Sequence, residues 1–234
     1  HTIGLLDSQG IMHCGAGVCL EDAYRPAVIE KKGISIGILA RCDVPIDSPF
    51  YASETSRGIA PLDLDQLAGA IKSLKGSVHV VAVYLHWGKE DWRYPSPEQV
   101  RAARAIIDTG ADLVVGHHPH VLQGVEVVDG RTVLYSLGNL SFGGNPRLRA
   151  DVSMLAQVRL VFGEDKTYLG HQLNLLPIRP SSTPEYNDYQ PVLLTGDEAQ
   201  AVIDRVQQDT PFALNPYVDG VGALQEFVPA PPND

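Results

Sequence analysis

The chain has 234 residues, 44% of them hydrophobic and 20% charged, with a formal net charge of −10. A chain of this length and composition can bury one large core or two small ones, and none of its apolar runs could cross a bilayer. The acidic balance, with no basic cluster larger than the Lys31–Lys32 pair, argues against a nucleic-acid partner.

The three cysteines do not indicate a disulfide framework or a zinc knuckle, because their number is odd and no CxxC spacing occurs. A bridge between Cys14 and Cys19 is the alternative, but we expect buried or idle thiols. The redox compartment therefore stays open.

The first half of the chain predicts alternating helices and strands. Residues 2–10 resemble the end of a helix closed by Gly10, so we expect further chain in front of it. Residues 33–40 predict a buried strand, and 61–76 place apolar side chains at helical spacing. The nearly continuous apolar run at 77–85 is typical of a parallel strand buried on both faces.

The best-marked helix follows this strand. Ser96 is the expected N-cap, a proline follows it, Gln99 completes a capping box and Gly110 ends the helix. Residues 111–116 form another short apolar run. Residues 77–116 therefore predict a strand, a helix and a second parallel strand joined by a right-handed crossover.

The pattern changes in the second half, where antiparallel strands are expected. Asp129-Gly130 joins two β-runs and is a strong hairpin signal. Residues 153–162 and 168–178 predict further strands, and a last helix is expected over 197–208.

The chain shows no internal repeat and no linker that would divide it. We therefore expect a single domain over residues 1–225 and a Pro-rich tail, extended or disordered, over 226–234.

Three histidines follow two of the predicted parallel strands. His86 comes directly after one strand, and His118 and His120 come just past the next. The carboxyl ends of neighbouring parallel strands lie at the same edge of a sheet, where ligands of open α/β sheets usually bind. We therefore predict a metal site there, with polar strand-end histidines as the alternative.

The spacing within "GHHPH" affects which rings can share a site. On a regular strand, the side chains at i and i+2 point to the same face. Where the strand is interrupted, they share a face only if the backbone turns in a way that brings them together. Pro119 excludes regular structure, so we expect a turned path that lets His118 and His120 face one site. His117 is expected to point away, outside the ligand set.

Other polar and aromatic residues near these histidines are candidates with alternative explanations. Glu90 could orient a ligand imidazole or be a solvated acid. The Asn139 amide could meet substrate or water, or cap a turn. Core packing is the expected role of Trp87, while Trp92 is a candidate wall of a cleft. The weakest candidates are two loop acids, Asp43 and Asp47.

Several segments resemble the bacterial CapA family, the poly-γ-glutamate capsule biosynthesis group of the calcineurin-like metallophosphoesterase superfamily. They are "HWGKE" at 86–90, "GADLVVGHHPHVLQGVE" at 110–126 and "GRTVLYSLGNLSF" at 130–142. The resemblance covers residues 2–145 and fades beyond about 180. It implies an α/β fold arranged as a four-layer α/β/β/α sandwich, here missing its first strand or strands.

The resemblance also implies roles for individual residues. His86, His118 and His120 would be metal ligands, with His118 and His86 sharing one ion and His120 serving the second. Asn139 and Glu90 fall in segments characteristic of the family and are counted with His117 as candidate catalytic residues. His117 is the weak choice as proton donor to a leaving oxygen.

The family's N-terminal G-D and N-N-H motifs do not occur in this sequence, and His1 does not replace them. The resemblance therefore implies an N-terminally truncated segment. From the histidines alone we expect weak metal binding and little phosphoesterase activity. Tight binding of two ions per chain would contradict that expectation.

The functional hypothesis is a hydrolase of phosphoester-type bonds that uses divalent Mn, Fe or Zn, with two ions in the complete site. Its substrate would be an anionic small molecule or polymer. The alternative is a non-catalytic component of a surface-polymer synthesis or export complex. The resemblance suggests the cell envelope or a membrane-associated location. A TIM-barrel amidohydrolase is disfavoured because the hairpins after residue 124 break the repeating βα pattern.

Overall fold

The computed structural model of the protein describes residues 1–44, 50–143, 146–147 and 150–232. The helices are α1 Thr2–Ser8, α2 Leu20–Tyr24, α3 Leu64–Lys75, α4 Pro97–Asp108 and α5 Gly196–Gln207. The strands are β1 Ala16–Gly17, β2 Ala27–Lys31, β3 Ile34–Cys42, β4 Gly58–Ile59, β5 Val80–His86, β6 Leu113–His117, β7 Val125–Val128, β8 Arg131–Leu134, β9 Ser153–Phe162, β10 Tyr168–Arg179, β11 Val192–Leu193 and β12 Ala223–Pro229. This confirms the predicted α/β class with more than one sheet.

The chain divides into two compact units, each built from two segments. The first unit comprises His1–Trp87 and Arg101–Val115, and the second comprises Gly88–Val100 and Gly116–Asp234. In the described residues, none of the helices is both long enough and apolar enough to pass through a membrane.

The first unit contains a sheet with strands in the order β2-β3-β5-β6. β2 and β3 are antiparallel, and β3 and β5 are parallel, with α3 as the connection between them. β5 is buried along most of its length, as its continuous apolar sequence predicts. It begins at Val80 rather than at 77, because the backbone N–H groups of Ser77 and Val78 still bond to the Leu74 carbonyl at the end of α3.

The helix predicted within 61–76 is confirmed as α3, which begins where the Asp63 side chain caps the backbone N–H groups of Asp65 and Gln66. α3 buries Leu67, Ile71 and Leu74. Full burial of one such side chain is worth about 1.5–3 kcal/mol.

One charged pair is built into this unit. The Lys75 ammonium, at the end of α3, lies 2.9 Å from each carboxylate oxygen of Asp112, which is only 3% exposed. Asp112 also accepts a hydrogen bond of 2.8 Å from the Val81 backbone N–H, and its own N–H donates to the Val81 carbonyl. The residue just before β6 is thereby fixed to both α3 and β5.

The three cysteines are free thiols, Cys14 and Cys19 half-buried and Cys42 buried. The interpretation as unbridged thiols is therefore confirmed, and the Cys14–Cys19 bridge is not formed.

The second unit consists mainly of antiparallel strands. The predicted hairpin is confirmed: Asp129 (φ 47°) and Gly130 (φ 73°) both adopt the left-handed conformation that a tight two-residue turn between β7 and β8 requires. β10 pairs antiparallel with β9 along its length, and with β12 and then β11 on its other side. The helix expected over 197–208 is confirmed as α5, which begins at Gly196 and buries one apolar face.

Part of the segment expected to form an extended or disordered tail belongs to a strand. β12 runs to Pro229, and Phe227 and Val228 pair with Gln172 and His171 of β10. Residues 226–229 are therefore paired backbone and not a free tail. A proline is tolerated at the end of an edge strand because no partner there needs its missing N–H.

Candidate metal centre

The loop after β5 carries Glu90, and glycine is required to shape it. Gly88 has φ 82°, and a Cβ at this position would lie 2.7 Å from the Gln99 carboxamide. Gln99 belongs to the predicted capping box, which is confirmed: its Oε1 accepts from the Ser96 N–H at 3.0 Å, and the Ser96 hydroxyl oxygen accepts from the Gln99 N–H at 3.2 Å. The start of α4 therefore supports the loop that bears Glu90.

A buried glutamine joins this loop to the histidine loop. Gln123, 1% exposed, accepts a 3.1 Å hydrogen bond from the Gln99 amide and donates to the Trp92 carbonyl at 2.8 Å. A second link is the Asp91 N–H, which donates to the Pro119 carbonyl at 2.9 Å. These bonds hold Glu90 beside the histidines, because they fix the backbone that directly follows it.

The backbone of the histidine loop is left-handed at two non-glycine residues. His118 has φ 97° and His120 has φ 59°, with buried Pro119 between them. Such angles are uncommon outside glycine, although histidine adopts them more often than most residues, and they cluster at functional sites. The turned path expected from Pro119 is thus present, and the two ring centroids lie 5.8 Å apart.

Glu90, His118 and His120 form a cluster of three potential metal ligands. One ligand atom from each lies within 4.8 Å of the other two. Glu90 is exposed and both histidines are half-buried, so the cluster is open to solvent on the Glu90 side. Two imidazoles and one carboxylate form a donor set that suits Zn, Fe or Mn and is found in catalytic sites with open coordination positions.

Asn139 orients one of these imidazoles. The His120 Nδ1 lies 2.7 Å from the Asn139 Oδ1, and Phe142 packs edge-on against the same ring at 4.8 Å between centroids. A carboxamide oxygen only accepts, so Nδ1 carries the proton and Nε2 keeps its lone pair for an ion. The structure therefore places Asn139 against a candidate ligand, and its hydrogen bond can fix the orientation of the His120 ring.

The environment of the loop favours the neutral form of two of its histidines, His117 and His118. Burial lowers the pKa of His118 and the neighbouring His120 lowers it further, while Glu90 acts in the opposite direction. Metal binding requires the neutral imidazole, so this lowered pKa suits a ligand. Burial also lowers the pKa of His117, which disfavours the protonated form that a general acid needs.

The other predicted site residues lie at the expected elements. His86 ends β5 in the first unit and is exposed, and its role as a ligand stays a prediction. His117 ends β6. Trp87 is 1% exposed, which confirms core packing, while Trp92 is exposed with the Lys89 ammonium 4.5 Å from its ring centroid. Asp43 is exposed, and Asp47 lies outside the described residues.

Two supports of the histidine loop were missed by the sequence analysis. Gln123 belongs to the same motif as the histidines, but nothing in the sequence around it indicates that its side chain is buried. The Asp209 carboxylate accepts from the Gly124 N–H at 2.6 Å, and burial raises its pKa. Gly124 and Asp209 are far apart in the chain, so no local sequence pattern could have indicated that they are hydrogen-bonded.

Replacing Asn139 with alanine is expected to weaken metal binding by about 10–100-fold, because the His120 ring would lose the acceptor that fixes its tautomer. Asn139→Asp retains an oxygen acceptor and should keep most of the affinity. Calorimetric titration with Zn²⁺ measures both variants. Equal affinities for the alanine variant and the unaltered chain would show that Asn139 does not position this ligand.

Comparison with known proteins identifies the class of protein to which this site belongs. The family model described as "Bacterial capsule synthesis protein PGA_cap" matches residues 1–143, a segment that contains Glu90, His118, His120 and Asn139. The chain therefore belongs to this bacterial capsule synthesis family.

Two curated relatives carry similar names. The PGA biosynthesis protein CapA of Bacillus subtilis is 38% identical over 142 residues, which are 60% of this chain and 37% of that protein. The capsule biosynthesis protein CapA of Bacillus anthracis is 33% identical over 144 residues, 60% of this chain and 35% of its own length. The chain thus spans little more than a third of the length of either relative.

Among solved structures, one similar chain is a Staphylococcus aureus protein described provisionally as a 5′-nucleotidase, in complex with α-ketoglutarate. It is 14% identical, with a TM-score of 0.47, and the match covers 85% of this chain and 36% of that chain.

Proposed function

We propose that this chain carries the metal-binding part of a divalent-metal-dependent hydrolase of phosphoester-type bonds that acts in capsule or poly-γ-glutamate synthesis. The observation that carries the proposal is the Glu90–His118–His120 cluster, in which three ligand atoms converge within 4.8 Å. The names of the two CapA relatives support the link to capsule polymer synthesis.

The cluster residues fit a divalent ion such as Zn, Mn or Fe. Two neutral imidazoles and a carboxylate would hold it, and His86 is the proposed further ligand toward a two-ion site. When bound, such an ion would supply Lewis acidity toward a phosphoryl oxygen.

Other residues of the chain hold the three potential ligands in place. Asn139 keeps the Nε2 lone pair of His120 directed away from its own carboxamide, and the bonds made by Gln123 and Asp91 keep the two loops together. Preorganisation of this kind removes much of the reorganisation that binding would otherwise require. The proposed substrate is an anionic small molecule or polymer.

Metal titration of this chain tests the proposal. Calorimetry with Zn²⁺ and Mn²⁺ should show one ion per chain, and Mg²⁺ and Ca²⁺ should bind more weakly because imidazole is a poor ligand for them. Glu90→Gln should reduce the affinity, whereas Glu164→Gln, which alters an exposed acid outside the cluster, should not.

Activity is measured on the same samples with bis(p-nitrophenyl) phosphate. We expect slow turnover that requires the added metal and that a chelator removes. Absence of a binding isotherm with both Zn²⁺ and Mn²⁺, or turnover that persists in the chelator, would refute the proposal.

A non-catalytic role in a polymer synthesis complex is the alternative function. A relative from Mycobacterium tuberculosis, 27% identical over 170 residues, is named as a polyglutamine synthesis accessory protein, which favours this alternative. Metal binding without any turnover of the phosphodiester would support it over the hydrolase.

A further inference from the structure

The segment that follows β8 brings two side chains to the ring of His120. The Asn139 Oδ1 lies 2.7 Å from its Nδ1, and the Phe142 ring packs edge-on against it at 4.8 Å between centroids. Phe142 is half-buried, whereas the nearby Leu140 is 52% exposed. The orientation of the His120 ring therefore depends on where this segment of the chain is held.

The start of the segment is fixed to β9. The Leu137 carbonyl accepts hydrogen bonds from the Met154 backbone N–H at 3.0 Å and from the Ser153 hydroxyl at 2.5 Å. Gly138 comes next, with φ 74°, and a Cβ on it would lie 2.6 Å from the Ser153 Oγ, so glycine allows this close approach. These contacts hold the segment at its start, and its far end is held by a different part of the chain.

The far end is bound by Asn187, in the loop that follows β10. The side-chain amide of Asn187 donates a hydrogen bond of 2.9 Å to the Phe142 carbonyl, and its backbone N–H donates to the Pro146 carbonyl at 3.0 Å. Asn187 is only 6% exposed, so water competes little for these bonds. One buried residue thus binds the backbone of the segment at two points.

The Asn187 side chain is itself fixed by its own loop. Its Oδ1 accepts from the Tyr189 backbone N–H at 3.1 Å, and Tyr189 has φ 61°, a left-handed angle that is uncommon outside glycine. The Asp188 carboxylate accepts from the hydroxyl of buried Ser181 at 2.7 Å and from the Ser182 N–H at 2.9 Å. The loop is thus closed on itself, and it sets the direction of the Asn187 amide.

We propose that Asn187 is a positioning residue of the metal centre and acts on His120 through Phe142. This role rests on the proposed function, because His120 is taken as a ligand of the ion. The bond to the Phe142 carbonyl keeps the Phe142 ring against the imidazole while Asn139 accepts from its Nδ1. The His120 ring then has fewer orientations to lose when an ion binds, which raises the affinity.

Asn187→Asp tests this role, because it keeps an oxygen for the Tyr189 N–H and removes the donor to the Phe142 carbonyl. In the metal-free chain at about pH 8, where histidine is ordinarily neutral, nuclear Overhauser contacts between the Phe142 and His120 rings should weaken. Long-range proton–nitrogen spectra of the His120 ring should show more of the Nε2-protonated tautomer. The Zn²⁺ affinity measured by calorimetry should fall about 3–10-fold, less than for Asn139→Ala.

Two further variants make the result specific. Asn215→Asp is the matched control, since the Asn215 amide also donates to a backbone carbonyl, that of Leu224 at 2.8 Å, outside the cluster, and it should alter none of the three measurements. Phe142→Leu leaves Asn187 in place and removes only the aromatic contact, so it should reproduce the changes in tautomer and affinity even if Asn187→Asp does not fold.

Ring contacts and a tautomer that stay as in the unaltered chain would overturn the role of Asn187. Unchanged Zn²⁺ affinity in Asn187→Asp, or in Phe142→Leu, would overturn it as well. If the unaltered chain binds no Zn²⁺, the proposed function fails, and the ring contacts alone decide whether Asn187 holds Phe142 against His120.

Discussion

Replacing His118 with alanine is expected to remove most of the metal affinity of this chain. One of three converging ligands would be lost, leaving Glu90 and His120. The reduction should exceed the roughly 10–100-fold that follows loss of an orienting partner such as Asn139. Calorimetric titration of the variant with Zn²⁺ measures the effect, and the phosphodiester assay should show a parallel loss of any metal-dependent turnover.

Two other histidine variants make this result specific. His13→Ala alters a histidine paired with Asp7, outside the cluster, and should leave the affinity unchanged. His86→Ala tests the further ligand implied by the family resemblance, and a reduced affinity would support a site larger than the three clustered residues. Unchanged Zn²⁺ affinity in His118→Ala would show that the histidine loop is not the metal site.

The same variant helps to separate the two proposed functions. A hydrolase loses turnover together with the ion, because the ion supplies the Lewis acidity at the phosphoryl group. An accessory component can lose the ion and still associate with its complex. In that case the histidine loop, whose geometry depends on the Gln99–Gln123 hydrogen bond, would act in association with the complex and not in catalysis.

The fold was largely predictable where local chemistry decides it. The capping box of Ser96 and Gln99 and the Asp129-Gly130 turn are short-range signals, and the structure confirms both. β5 was recognised because a strand buried on both faces reads as a continuous apolar run. The start of β5 was less well predicted, since the last turn of α3 continues to hold the backbone at Ser77.

Long-range pairing explains most of what the sequence did not reveal. Residues 226–229 resemble a Pro-rich tail by composition, yet their backbone pairs with β10. This pairing depends on β10, which lies about 50 residues earlier in the chain, and the composition of residues 226–229 does not indicate such a partner. The same applies to Asp209, whose carboxylate supports Gly124 from the far end of α5.

The candidate site shows a similar division. The "HPH" spacing and the position after a strand were enough to predict that His118 and His120 would face one site. The inclusion of Glu90 was less evident, because its position depends on the left-handed backbone of Gly88 and on hydrogen bonds to Gln123. The sequence left open whether Glu90 orients a ligand or is a solvated acid, and the structure places its carboxylate among the potential ligands.

The Lys75–Asp112 pair yields the largest expected effect on stability. Asp112→Ala would leave the Val81 N–H without its acceptor and the Lys75 ammonium without its partner. Removing one member of a buried pair costs about 3–5 kcal/mol, and we expect the lower end because Lys75 is 34% exposed and can reach solvent. Urea unfolding followed by circular dichroism measures the change in midpoint.

Matched variants separate the charge from the backbone bond. Asp112→Asn keeps an oxygen for the Val81 N–H and should lose less stability than the alanine variant. Asp108→Ala, which alters an exposed acid at the end of α4, should change stability by no more than about 0.5 kcal/mol. If Asp112→Ala unfolds at the same urea concentration as Asp108→Ala, the pair does not join α3 to β5. The position of β5, which carries His86 at its end, would then depend on apolar burial. In that case Val83→Ala should lower the free energy of unfolding by more than Asp112→Ala does.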